Sequence, residues 1–174
     1  MVENNAIDTT LYNAYWSKLQ QFKFDLIYYD VQFKACVKAC RFIKYGIIGI
    51  TTLATGAWVT WGDLSAIKVV CAIIIWLLQG ISAISEVFPF NKRKLELREL
   101  STELEPIYIQ MESDWRKIQC MQITNDEISG LMESYAQKQA EIIKHYFKND
   151  ALPLKEKYHV EADNLTEEYF KYFV

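Results

Sequence analysis

A catalytic or metal centre in this 174-residue chain would have to be assembled from two histidines, four cysteines and four arginines. The histidines, His145 and His159, are not placed in a triad or metal-ligand pattern, and His145 reads as a surface or partly buried helical residue. Cys36, Cys40, Cys71 and Cys120 contain no CxxC pair and have no histidine at zinc-ligand spacing. Cys36 and Cys40 fall one helical turn apart and read as small buried residues, so disulfide chemistry is not expected. There is no glycine-rich phosphate loop, no GxSxG and no zinc signature. The expectation is a protein without catalytic residues, metal or cofactor, and not an enzyme.

The polar residues left to explain lie inside apolar sequence. Gln79, Ser82 and Glu86 recur at i, i+3 and i+7 along one helical face. Polar groups at membrane depth face a bundle interior or a water path. These three are therefore pore-lining candidates. The alternative is that Gln79 and Ser82 hydrogen-bond a neighbouring helix while Glu86 reaches the headgroups and pairs with Lys92 or Arg93. Gly46, Gly49, Thr52 and Gly56 line one side of the preceding segment at spacings of three and four, which lets a second helix approach closely. Lys92, Arg93 and Lys94 are candidates for anchoring at lipid headgroups.

These residues need a hairpin to position them. From Tyr45 to Gly62 the sequence carries no charge, and about 18 residues at 1.5 Å each nearly cover a 30 Å hydrocarbon layer. A second apolar stretch, 69–90, is interrupted only by Glu86, and a short loop containing Lys68 joins the two. Two transmembrane helices are expected, at 45–62 and 69–90. Inside a bilayer the β-branched run Val69, Val70, Ile73, Ile74 and Ile75 has to be helical, because unpaired peptide groups find no water there. Lys34, Lys38, Arg41 and Lys44 precede the hairpin, and Lys92, Arg93, Lys94 and Arg98 follow it. This bias places both termini in the cytoplasm. Trp58 and Trp61 mark the outer end of the first span.

The flanking arms read as amphipathic helices. Leu11, Tyr15, Leu19, Phe22, Leu26, Tyr29, Phe33, Val37 and Cys40 form a stripe over 8–44, in a helix able to run straight into the membrane. In the cytoplasmic region 91–174, Leu97, Leu100, Leu104, Tyr108, Met111, Trp115 and Ile118 keep phase across Pro106, so the proline kinks that helix without ending it. A third helix starts near Thr124 with a capping box to Glu127 and runs through Ile128, Leu131, Tyr135, Ile142 and Tyr146 to about Lys148. A short last helix is expected from Asp163 through Leu165, Tyr169, Phe170 and Phe173. The fold class is all-α, a single membrane domain over 1–174 that assembles as a homo-oligomeric ring. A net charge of −3 gives no global attraction to nucleic acid, and direct binding is not expected.

A long aromatic first helix (YWSKLQQFKFDLIYYDVQFKACVKACRFIKYG), a two-span hairpin and FPFNKRKLELRELSTELE opening a helical body together resemble the small two-transmembrane defence effectors of bacteria. This class includes the SLATT domains and the membrane accessory proteins of type VI-B CRISPR systems. The resemblance covers most of the chain and is one of layout. It implies a pore-like homo-oligomer of the bacterial inner membrane that perturbs the membrane downstream of an RNA-guided CRISPR nuclease, and no enzyme. A non-conducting anchor that recruits a cytosolic partner is the alternative. A membrane-tethered HEPN-like ribonuclease is a weaker one. The HEPN signature places an arginine four to six residues before a histidine, and here neither window holds one; the nearest basic approximation to that pattern is Lys155 before His159.

Overall fold

The structure is a computed structural model that describes residues 8–60, 69–78, 80, 89–147 and 155–173. Among these residues the fold is all-α. The helices are α1 (Thr9–Thr60), α2 (69–78), α3 (Pro89–Gln119), α4 (Asn125–Tyr146) and α5 (Glu156–Phe170). Contacts divide the chain into two compact units: a helical body from Met1–Gln32 and Glu96–Val174, and a second unit from Phe33–Leu95.

Local chemistry accounts for the helix ends. Asp8 stands at the start of α1, where its carboxylate accepts from the Thr10 N–H at 2.8 Å while its carbonyl takes the first helical bond, from Tyr12. With no proline in its way, α1 runs unbroken through 52 residues, joining the expected N-terminal helix to the first part of the expected first span. Helix α3 opens on Pro89, a position where a missing N–H costs nothing, and continues through Pro106. It ends in a Schellman motif: Gln122 N–H donates to Lys117 C=O and Met121 N–H to Ile118 C=O, both at 2.9 Å, with Met121 at φ 54°. The capping box on α4 is formed in full, with Thr124 and Glu127 each bonding the other's backbone N–H.

The body's core is aromatic and continuous. All seven stripe residues of α3, from Leu97 to Ile118, are at most 3% exposed, so the phase across Pro106 is kept. Facing them, α1 buries Tyr15, Leu19 and Phe22. The Trp115 indole lies 4.6, 5.9 and 5.0 Å from the rings of Tyr12, Tyr15 and Trp16, and Trp16 in turn meets Phe170 of α5 at 5.1 Å. The Tyr15 hydroxyl donates to the Met111 carbonyl at 3.0 Å.

Two helices differ in detail from the periodicity. Helix α5 begins at Glu156, seven residues before the expected start, and buries Ala162, Thr166 and Phe170, whereas Leu165 is exposed. In α4 the buried face is Ile128, Tyr135 and Gln139, and Ile142 is half-buried.

Candidate functional site

The second unit is built unlike the body. Among its described residues only Ala54, Cys71 and Leu78 are buried. Twelve of the seventeen large apolar side chains exposed among the described residues belong to it. Phe42, Leu53 and Trp76 are 81, 75 and 73% exposed, with Tyr45, Ile48, Ile50, Val69, Val70, Ile73 and Leu77 beside them in sequence. Apolar patches of this extent on a lone chain mark a surface that something else covers.

Three threonines within this flank close their hydroxyls on their own helix. Thr51, Thr52 and Thr55 donate their hydroxyls to the carbonyls of Ile47, Ile48 and Thr51 at 2.7, 2.8 and 2.8 Å. Each hydroxyl is thereby satisfied without water. Gly46, Gly49, Thr52 and Gly56 are all exposed, and a Cβ built on any of the three glycines would meet nothing within 4 Å. The described residues of the chain itself therefore do not make the close approach that the spacing permits.

Among the described residues no helix is long and apolar enough to cross a membrane. The expected spans extend past them: 61–62 of the first and 79 and 81–88 of the second lie outside the described residues, and with them Gln79, Ser82 and Glu86. Of the headgroup candidates Lys92 is exposed, and Arg93 and Lys94 are half-buried. Among the described residues no cluster of three histidine, cysteine, aspartate or glutamate side chains could hold a metal. The four cysteines form no disulfide, and Cys36 and Cys40 are half-buried where full burial was expected.

The body holds three polar constructions that periodicity did not reveal. Asp114, 3% exposed, accepts from the Tyr135 hydroxyl at 2.6 Å, from Lys117 Nζ at 2.5 Å and from Gln110 Nε2 at 3.3 Å. Burial by itself would lift the Asp114 carboxyl, but these bonds outweigh it and hold the group below the ordinary carboxylate range. Asp25 accepts from Gln139 Nε2 at 2.8 Å and Gln21 Nε2 at 3.1 Å, yet burial dominates there and raises its pKa. Lys23 Nζ is clamped 4.6 Å from the Tyr108 ring and 4.0 Å from Tyr169, with burial lowering its pKa.

A cleft of about 350 Å³ also opens between α1 and α5, lined by Gln20, Gln21, Phe24, His159, Asp163 and Glu167 among others. His159 packs 4.8 Å from the Phe24 ring. The lining of this cleft comes from two helices far apart in sequence, and no local spacing signalled it. His145 is exposed, with its ring against Tyr146 at 5.1 Å.

Comparison of the chain with protein-family models, curated proteins and solved structures finds no match.

Proposed function

We propose that the chain is a membrane-embedded, homo-oligomeric effector that permeabilises the bacterial inner membrane through a helical hairpin, 45–62 and 69–90, with both arms in the cytoplasm. The observation that carries this reading is the apolar flank of the second unit. Leaving a Leu, Ile, Val or Phe side chain in water forfeits about 1.5–3 kcal/mol, so twelve partly exposed ones forfeit on the order of 10–20 kcal/mol. This is comparable to the whole stability of an ordinary domain, about 5–15 kcal/mol, and argues that the flank is covered.

Three features favour lipid as the cover. The described part of α1 from Tyr45 to Thr60 has no charged residue. The hydroxyls of Thr51, Thr52 and Thr55 are already bonded within the helix. Cations bracket the apolar stretch on both sides. At 1.5 Å per residue, 45–60 is about 24 Å long and 45–62 about 27 Å, close to a hydrocarbon core of about 30 Å, and modest thinning of the bilayer closes the difference.

In this reading Gly46, Gly49, Thr52 and Gly56 form the face against which a second copy packs, and Gln79, Ser82 and Glu86 line the path that assembly encloses. The antiviral role downstream of an RNA-guided CRISPR nuclease is supported by the resemblance in layout.

The test is the mass of the detergent-solubilised protein followed by ion flux from liposomes reconstituted with the same sample. The expected result is a discrete high-order oligomer that leaks ions, with flux reduced by Gln79→Leu together with Glu86→Leu while the mass is unchanged. A monomer or dimer contradicts the ring. A discrete oligomer that is silent in flux and retains a cytosolic protein partner favours the non-conducting anchor instead.

A further inference from the structure

The chain's net charge of −3 conceals a separation of sign. Within Phe33–Leu95 there are eight lysines and arginines against two acids, Asp63 and Glu86, a net of +6 that leaves −9 for the body. Along α1 the last acidic residue is Asp30. Beyond it Lys34, Lys38, Arg41 and Lys44 follow with no acid before Thr60, and all four are exposed. Among the described residues Lys38, Arg41 and Lys44 make no ion pair.

Their register matters. Lys34, Lys38, Arg41, Tyr45 and Ile48 are spaced 4, 3, 4 and 3 residues apart, so they share one face of the helix. Along that face the chain reads cation, cation, cation, aromatic ring, aliphatic, with Tyr45 64% and Ile48 51% exposed. Phe42, 81% exposed, lies on the same turn as Arg41.

We propose that this cation belt is a binding site for anionic phospholipid, with Lys38, Arg41 and Lys44 meeting the phosphates while Phe42 and Tyr45 lie at the level of the glycerol and upper acyl chain. The site rests on the hairpin reading above, and it adds the lipid class. Charge complementarity selects the occupant: a zwitterionic headgroup offers no net charge to a segment that carries four cations and no acid. Continuity with the apolar flank selects lipid over nucleic acid. A polyanion without acyl chains would satisfy the cations and leave Phe42, Tyr45 and Ile48 in water.

The full-length protein in neutral detergent is titrated with dansyl-labelled phosphatidylglycerol, binding being read by energy transfer from tryptophan, with unlabelled phosphatidylglycerol or phosphatidylcholine as competitor. Phosphatidylglycerol should compete at least tenfold better, and the preference should shrink at high salt. Each cation near an anionic surface is expected to contribute about fivefold. The Lys38→Gln, Arg41→Gln, Lys44→Gln variant should therefore lose about a hundredfold. Lys38→Arg with Lys44→Arg should retain the preference, which separates loss of charge from loss of fold.

Equal competition by the two lipids overturns the site, as does an RNA oligonucleotide that displaces the probe more strongly than phosphatidylglycerol and depends on the same three cations. Alkaline carbonate extraction of cell membranes keeps the two readings apart. Protein that stays in the pellet but shows no lipid preference overturns the site alone, whereas release into the supernatant overturns the hairpin on which it rests.

Discussion

Met121 adopts a positive φ at the end of α3, where a side chain costs about 1 kcal/mol relative to glycine. Because its side chain is 70% exposed, Met121→Gly removes strain without opening a hole. Thermal unfolding should show a higher Tm, worth about 1 kcal/mol. At Trp115 the balance is opposite. It is 3% exposed and touches three rings of α1, so Trp115→Ala should cost about 3–5 kcal/mol in urea unfolding. The carboxylates of Asp114, buried, and Asp25, half-buried, act on stability with opposite sign. The pKa of Asp114 is depressed in the folded protein, so its contribution is present above the ordinary value of 3.8 and is lost as pH falls below it. The pKa of Asp25 is raised, so its ionised form is a burden at neutral pH that lifts as pH falls towards the folded value. Asp25→Asn should flatten the rise in urea midpoint between neutral pH and about pH 4, while Asp114→Asn should remove the acid-side loss and leave that rise in place.

At the scale of the helix, burial follows periodicity where the buried face is made of large apolar residues and departs from it where the face is small or polar. The α3 stripe from Leu97 to Ile118 was readable in full because every member is bulky and apolar. The T-N-D-E start of α4 was readable because a capping box is a local, four-residue device. The true extent of α5 was not, since its buried face is Ala162, Thr166 and Phe170, and two of those three carry no bulky apolar side chain. Gln139 and Asp25 escaped for a related reason: each is a polar residue at a buried or half-buried position, satisfied by the other at 2.8 Å across a sequence separation of 114. Lys23 was invisible because its rings come from two other helices. Pro106 supplies the helix-scale prediction. It deprives the Thr102 carbonyl of its usual donor, so Pro106→Ala should raise stability by up to about 3 kcal/mol. A lowered Tm would mean that the packing of Leu104 and Tyr108 depends on the proline. Thr124→Ala, which dismantles the capping box, should cost about 1 kcal/mol.

Across the whole molecule, the two units differ in what they leave for a partner to complete. The body, with net −9, closes its core on itself through Tyr15, Leu97, Leu100, Met111 and Trp115. The second unit, with net +6, turns most of its large apolar residues outward. An average hydropathy near zero hides both facts, and neither appears until apolar and charged positions are plotted along the chain. We propose that this outward flank is covered by acyl chains. Trp76, 73% exposed on α2, reports on that claim. The most direct test is tryptophan fluorescence of the full-length protein in proteoliposomes made with bromine on the acyl chains, set against unbrominated vesicles. Marked quenching that weakens in the Trp76→Phe variant is the predicted result. Equal emission in the two kinds of vesicle would contradict it, because the flank would then be covered by protein or left in water.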